Sequence, residues 1–192
     1  ASWIAARSVA AGHPDIEALE LPVTWGSPGQ YLGEICRNRC PAAIVSMGEG
    51  REGWFDIETF ARRERKERID NLGRLPEGEP IDPVGPTCVS ASIDARAIQR
   101  PLVGEGYPVR ISSDAGAFLC EETLYTLERL RGRHETLRTV IFVHLPPHGT
   151  TVRVNGQEMA CDEALLSRFA ESLIRAVRAV HTSMDVAGQK SA

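Results

Sequence analysis

Apolar and polar positions follow two different periods along the chain, and segments of the two kinds alternate. Apolar residues at helical spacing predict helices at about 1–11, 27–39, 94–104, 115–131 and 162–181. Short apolar or alternating runs predict strands at 17–23, 42–46, 54–61, 88–93, 108–111 and 139–144. This order predicts a single α/β domain over residues 1–182, with a mostly parallel central sheet and helices on both faces. Residues 183–192 are expected to form a polar tail.

Three of these segments have features that bear on a functional site. The segment 139–144 is β-branched, apolar and uncharged, as a strand buried on both faces would be, whereas 54–61 alternates like a half-exposed strand. Ser112-Ser113-Asp114 is expected to cap the helix that follows it. Residues 62–86 are first densely charged and then rich in Gly and Pro, which predicts a long surface loop.

Composition and charge exclude several classes of protein. The 192 residues carry a formal net charge of -4, which argues against a nucleic-acid-binding surface. Apolar runs fall far short of the roughly 20 residues that a membrane-spanning helix needs, and the first residues lack a secretory signal pattern. Five cysteines without the spacing of a disulfide framework favour reduced thiols, so we expect a cytoplasmic protein. From the charge and the short apolar runs we expect no nucleic-acid and no membrane partner.

Cys120 is the first candidate for chemistry. It lies in the first turns of a predicted helix, after the small residues Ala115, Gly116 and Ala117. Unpaired N–H groups and the dipole at a helix N-terminus stabilise a thiolate, which is the reactive form of cysteine. The alternative is an inert cysteine that packs in the core, and the segment alone does not decide between the two.

His144 and Glu58 are candidates to act with this thiol. His144 ends the buried strand 139–143, where parallel sheets commonly place their sites, and there it would serve as general base. Glu58 lies on the alternating strand and would orient the imidazole. Each has a simpler alternative, a hydrogen-bonded core histidine and a solvent-exposed glutamate.

Sites for metals and nucleotides are not indicated by the sequence. Cys36 and Cys40 are four residues apart on a predicted helix, but no second pair of ligands completes a zinc site. A phosphate-binding glycine loop with its lysine is also absent. We therefore expect no metal and no organic cofactor.

Several motifs resemble those of the pyroglutamyl peptidases of the type I cysteine class. Ser113-Asp114-Ala115-Gly116 followed by Cys120 resembles the nucleophile motif of that family, and Phe142-Val143-His144-Leu145-Pro146 resembles its histidine strand. Gly50-Arg51 followed by Ile57-Glu58 and Ala61 resembles the segment with the catalytic glutamate. The order of further matches agrees, at Leu21-Pro22-Val23, Arg68-Ile69, Asp70-Asn71 and Gly85-Pro86.

The resemblance implies a function and further site residues. The implied activity is that of a cysteine omega-peptidase, which removes N-terminal pyroglutamate from peptides through an acyl-enzyme, without a cofactor. Arg68 would help to hold the oxyanion, Phe118 would pack against the lactam ring, and Met47 would lie at the substrate pocket. The family also implies a homo-oligomer.

Departures from the family pattern lie near the expected substrate pocket. The first strand of the family is not found before Ser2-Trp3, Arg63 replaces an asparagine, and Glu121 follows the nucleophile in place of another asparagine. A charged Glu121 would oppose formation of a thiolate. Two alternatives therefore stand, a related cysteine amidase with another small N-terminal substrate and an inactive relative that acts as a binding subunit.

Overall fold

The computed structural model describes residues 1–78 and 80–189, with side chains as far as Ser183. The helices are α1 (Ser2–Gly12), α2 (Ser27–Arg39), α3 (Ala95–Gly104), α4 (Leu119–Arg131) and α5 (Glu163–Gln189). The strands are β1 (Ala43–Glu49), β2 (Phe55–Glu58), β3 (Phe60–Arg62), β4 (Cys88–Ser90), β5 (Val109–Ser112), β6 (Thr139–Leu145), β7 (Thr151–Val154) and β8 (Gln157–Ala160).

The central sheet has four strands in the order β1-β6-β2-β5. β1 pairs with β6 and β2 pairs with β5 in parallel, whereas β2 and β6 run antiparallel to each other. All seven residues of β6 are buried, as its uncharged sequence predicts. The single α/β domain with a mostly parallel sheet is thus confirmed, and one antiparallel junction lies at its centre.

Helices cover both faces of this sheet because side chains of β6 alternate between two apolar clusters. Ile141, Val143 and Leu145 belong to the cluster that includes buried residues of α1, α3 and α5. Within it the rings of Phe55 and Phe169 stack with their centroids 3.7 Å apart. Phe142, on the opposite face, packs with residues of α4. Full burial of each such side chain stabilises the fold by about 1.5–3 kcal/mol.

The segment 54–61 differs from the predicted half-exposed strand. It divides at Thr59, whose N–H donates to the Ser112 carbonyl (2.8 Å) and whose carbonyl accepts from the Ala91 N–H (2.8 Å). Residues before Thr59 pair in the central sheet, and those after it form the separate pair β3-β4. Every residue of β2 is buried, including Asp56 and Glu58. The polar positions of β2 in this alternating segment are carboxylates that lie in the interior. Alternation alone does not show whether the polar face of a strand is buried or solvated.

Three other boundaries differ from the expectations. No strand forms over 17–23, where Leu19 and Val23 are exposed. α4 begins at Leu119 instead of Ala115, because Gly116 (φ 86°) and Ala117 (φ 54°) adopt left-handed backbone that a helix excludes. α5 continues to Gln189, so most of the expected polar tail is helical, and residues 190–192 lie outside the described part.

The sequence analysis did not predict the hairpin that β7 and β8 form. Asn155 and Gly156, both at positive φ, form its two-residue turn, and Asn-Gly is the favoured pair for such turns. Across the described residues no helix is both long and apolar enough to cross a bilayer.

Candidate active site

Glu58 and His144 meet on the α4 face of the sheet. Glu58 ends β2 and is 1% exposed, and the antiparallel register places it opposite Phe142 on β6. His144 lies two residues further along β6, on the same face, and its Nδ1 is 2.8 Å from Glu58 Oε1. Burial excludes the solvent-exposed alternative for Glu58. A carboxylate in this position holds the ring so that Nε2 is available for chemistry.

Cys120 lies on the other side of the imidazole. It is the second residue of α4, and its Sγ and His144 Cδ2 lie 3.0 and 3.1 Å from the position of a Cβ built on Gly48, so the thiol and the imidazole are neighbours. Burial of the ring opposes its protonation, but the hydrogen bonds and negative charges of Cys120 and Glu58 outweigh burial and raise the pKa of His144 from 6.5 to about 9. The imidazolium is therefore stabilised between two acidic groups at neutral pH.

The first turn of α4 leaves one backbone donor next to the thiol, the N–H of Cys120 itself. The N–H groups of Glu121 and Glu122 donate to the Phe118 carbonyl at 3.0 and 3.1 Å. Among the described residues, no carbonyl accepts from the N–H of Cys120. An unpaired N–H at a helix N-terminus next to a nucleophile is suited to receive developing negative charge.

Gly48 makes the close approach of these groups sterically feasible. It is the β1 partner of His144, and a Cβ on it would lie 3.0 Å from Cys120 Sγ and 3.1 Å from His144 Cδ2. Its neighbour Gly50 is tighter still, since a Cβ there would lie 2.6 Å from that of His144. Both glycines were missed as site residues, although Gly48-Glu49-Gly50 at the end of an apolar run was the available signal.

Two aromatic rings and a guanidinium, those of Trp25, Phe118 and Arg68, pack together two residues before Cys120. Arg68 Cζ lies 4.3 Å from the centroid of the Phe118 ring, a cation–π arrangement. The Trp25 ring meets Phe118 edge-on, with centroids 5.0 Å apart, and its Nε1 donates to the Arg68 carbonyl at 2.7 Å. Trp25 had no part in the sequence-based predictions.

Two buried carboxylates, each paired with an arginine, fix the charged segment 62–68 to the start of α4. The carboxylate of Glu121, 2% exposed, accepts from the Arg62 amide (2.8 Å) and guanidinium (3.1 Å). Glu122, 1% exposed, is bound by Arg65 through Nε (2.9 Å) and Nη2 (2.8 Å) and also accepts from the Gly26 N–H (3.1 Å). The charged segment is therefore attached to α4 by the pairs Arg62–Glu121 and Arg65–Glu122, which together form what we call the clamp. The Glu121 carboxylate that was expected to act on the thiol is directed to Arg62.

Comparison with known proteins decides the family. The sequence model of the pyroglutamyl peptidase family matches residues 2–186 of this chain. The chain belongs to the pyroglutamyl peptidase family. It is 33% identical to a pyrrolidone-carboxylate peptidase of Gloeobacter violaceus over 133 residues, and this match covers 68% of the chain and 64% of that protein. With the Cupriavidus taiwanensis pyrrolidone-carboxylate peptidase the identity is 30% over 152 residues, covering 76% of the chain and 70% of the relative.

Solved structures agree with this family fold. The pyrrolidone carboxyl peptidase of Thermococcus litoralis superposes with a TM-score of 0.77 at 19% identity, and covers 94% of this chain and 88% of its own. That of Pyrococcus furiosus gives a TM-score of 0.72 at 23% identity, over 84% and 80% of the two chains. At these identities the likeness concerns the fold.

Not all of the predicted residues lie together in this member of the pyroglutamyl peptidase family. Met47 is the β1 partner of Val143 and packs against the cluster on the α5 face, so it points away from Cys120. We therefore withdraw it as a pocket residue. Arg63 donates to the Gly85 carbonyl at 3.1 Å, within the segment that follows β3.

Two of the other four cysteines, Cys36 and Cys161, are buried. Burial raises the pKa of Cys36 to about 12, with a further contribution from its hydrogen bond to Cys40, and burial raises that of Cys161 to about 11. Neither is paired with an imidazole in the contacts described. No group of three or more His, Cys, Asp or Glu side chains within the described residues is arranged to hold a metal ion.

Proposed function

We propose that this protein is a cysteine peptidase that removes N-terminal pyroglutamate from peptides, with Cys120 as nucleophile, His144 as general base and acid, and Glu58 as the residue that orients His144. The observation that carries the proposal is the juxtaposition of these three side chains at the start of α4: His144 Nδ1 lies 2.8 Å from Glu58 Oε1, and the imidazole and the Cys120 thiol both face Gly48. Family membership supplies the substrate class, since the relatives are pyrrolidone-carboxylate peptidases.

The proposed reaction begins with attack of the Cys120 thiolate on the carbonyl carbon of pyroglutamate. A C–S bond forms, and the electron pair of the carbonyl moves to its oxygen. The N–H of Cys120 and, as we propose, Arg68 stabilise this oxyanion. Arg68 is supported by its contact with Phe118, two residues before the nucleophile.

Collapse of this intermediate breaks the C–N bond, and the imidazolium of His144 gives its proton to the leaving amine. The acyl-enzyme that remains is a thioester. His144, now neutral, takes a proton from water as the water attacks the thioester carbon. The C–S bond then breaks, and 5-oxoproline and the thiolate are released. Phe118 is proposed to pack against the lactam ring during these steps.

The test is release of aminomethylcoumarin from pyroglutamyl-aminomethylcoumarin. We expect turnover by the wild type, none by Cys120→Ala, and wild-type turnover by Cys88→Ala, in which an exposed thiol is removed. Alkylation of Cys120 by iodoacetamide should abolish activity. Alkylation of Cys120 without any turnover would favour an amidase of different specificity. A protein with neither turnover nor a reactive Cys120 would favour a binding subunit.

We also propose a cytoplasmic protein that assembles as a homo-oligomer. Five free cysteines support a reducing compartment, and the family resemblance supports assembly. Cell fractionation tests the first proposal. Sedimentation equilibrium tests the second, and a mass equal to one chain at micromolar concentration would contradict it.

A further inference from the structure

A second polar cluster lies beside His144 on the same face of the sheet. Asp56 is opposite His144 in the β2-β6 register, and Arg110 is opposite Asp56 in the β2-β5 register. Residues directly opposite one another point to the same face, with Cβ atoms about 4.5–5.5 Å apart. The cluster therefore begins one side chain away from the imidazole, yet it has no part in the proposed reaction steps.

A buried carboxylate anchors this cluster. The side chain of Asp56 is 3% exposed, and Arg110 binds it in a fork, with Nε 2.8 Å from Oδ1 and Nη2 3.0 Å from Oδ2. Arg51, which follows β1, reaches the same carboxylate with Nη2 3.5 Å from Oδ2. Two guanidinium groups share one carboxylate, so the cluster has one positive charge in excess.

The guanidinium groups of Arg51 and Arg110 are accessible to solvent, whereas the Asp56 carboxylate that they share is buried. Arg51 is 69% exposed and Arg110 35% exposed, and Trp54, on which the Arg110 guanidinium stacks at 4.3 Å, is 41% exposed. Arg110 Nη1 takes no part in the fork to Asp56, so donors remain on both arginines. Glu52 is next to Arg51 in the chain, but it makes no ion pair with either arginine in the described contacts.

The geometry points to a carboxylate-binding subsite formed by Arg51 and Arg110 for the leaving side of the substrate. This inference rests on the proposed function. Because His144 gives its proton to the leaving amine, the residues after the scissile bond lie on the His144 side of the nucleophile. An extended peptide advances at most about 3.3–3.6 Å per residue, so the C-terminal carboxylate of a leaving group of one or two residues falls within reach of the two guanidinium groups. The preferred substrates are thus pyroglutamyl dipeptides and tripeptides with a free C-terminus.

The test compares matched acids and amides at two lengths. Pyroglutamyl-alanine and its C-terminal amide, and pyroglutamyl-Ala-Ala and its amide, differ in the charge at the end of the leaving group, and comparison of the same peptides across the Arg51 variants cancels any difference in their intrinsic reactivity. For the wild type we expect kcat/KM of the acid to exceed that of the amide by about three- to fivefold at low ionic strength, as partly exposed ion pairs allow. With a leaving group of five alanines the carboxylate lies beyond the subsite, and the ratio should return to about one.

Variants of Arg51 assign the effect to the cluster. Arg51→Gln should bring the ratio for the short peptides towards one, Arg51→Glu should invert it, and Arg51→Lys should keep most of it, since the charge remains. The ratio is internal to each preparation, so the folded fraction does not alter it. Arg153→Gln, at a 67% exposed arginine on β7, removes the same charge elsewhere and should leave the ratio at the wild-type value.

The outcomes separate this inference from the proposed function. Cleavage of the short peptides with an acid-to-amide ratio near one, or a ratio that Arg51→Glu does not change, overturns the subsite and leaves the peptidase standing. An acid preference that persists with the five-alanine leaving group also overturns the subsite, because the effect is then long-range. No release of 5-oxoproline from any peptide or from pyroglutamyl-aminomethylcoumarin overturns both.

Discussion

Substitution of Gly48 by alanine tests whether the close approach of Cys120 and His144 limits catalysis. The added Cβ would lie 2.9 Å from Phe142 Cζ, 3.0 Å from Cys120 Sγ and 3.1 Å from His144 Cδ2. Carbon contacts are optimal at about 3.5–4.0 Å, so these groups must separate by roughly 0.5–1 Å. Phe142 is 2% exposed and packed in the core, which leaves the thiol and the imidazole to move.

The expected effect on activity is larger than that on stability. Misplacement of reacting groups by about 1 Å costs roughly a hundredfold in rate, so kcat/KM for pyroglutamyl-aminomethylcoumarin should fall by about 30- to 100-fold. Overpacking of this kind lowers the free energy of unfolding by about 1–3 kcal/mol. The rate of Cys120 alkylation by iodoacetamide reports the same displacement without reference to a substrate, and it should change in parallel.

Gly29→Ala is the matched control, because a Cβ at this position in α2 meets nothing within 4 Å. It should leave kcat/KM unchanged and keep or slightly raise the unfolding midpoint in urea. A Gly48→Ala protein with kcat/KM within threefold of the wild type and an unchanged alkylation rate would refute the steric account of the site. A fall in stability alone would do the same.

Four further predictions concern His144 and the three glutamates near it and near the start of α4. Glu58→Gln should lower kcat at least a hundredfold, because the amide cannot stabilise the imidazolium. Since the folded-state pKa of His144 is raised from 6.5 to about 9, its contribution to the free energy of unfolding should be complete below pH 6.5 and lost as pH rises through about 9, as urea unfolding at several pH values will show. Glu122→Gln should lower the free energy of unfolding by about 3 kcal/mol, because it removes the buried carboxylate charge that pairs with the Arg65 guanidinium. Glu121→Gln should shift alkylation of Cys120 to lower pH, because it removes a negative charge that opposes the thiolate.

Each of these predictions has an outcome that contradicts it. A Glu58→Gln protein with kcat within about tenfold of the wild type would contradict the orienting role of Glu58. Glu64→Gln, at an exposed carboxylate near the clamp, should change stability by less than about 0.5 kcal/mol, and an equal loss in Glu122→Gln and Glu64→Gln would argue against the buried pair. Stability that does not decline between pH 6.5 and 9 would contradict the raised pKa of His144. An alkylation profile unaltered by Glu121→Gln would mean that Arg62 already neutralises this carboxylate.

Elements with strong local signals were predictable from the sequence. α2 has the predicted bounds, and Pro28 in its first turn marks the start. The start of α4 was placed too early because small residues read as helical, whereas Gly116 and Ala117 adopt left-handed backbone. Local patterns also favoured a strand at 17–23, but it has no partner in the sheet. Pairing partners are non-local, and local periodicity carries no information about them.

The candidate site was predicted unevenly for the same reason. Cys120, His144 and Glu58 have recognisable neighbours in sequence, and the structure places them within contact of one another. Met47 was assigned to the pocket from the family resemblance, and the strand register turns it to the opposite face. Trp25 carries no motif, and only folding brings it to Phe118. Side-chain direction and long-range contact had to come from the structure.

The position of β6 between β1 and β2 has a consequence for the order in which the protein becomes functional. Glu58 and His144 are 86 residues apart in the chain, and β6 joins two parts of the sheet that are synthesised much earlier. Contacts of such sequence separation form late and slow folding. During synthesis the thiol therefore emerges before its base, and the nascent chain carries a cysteine that is not yet activated. The three side chains therefore come together only when β6, the last central strand, has been inserted, whereas β7, β8 and α5 still follow it in the chain.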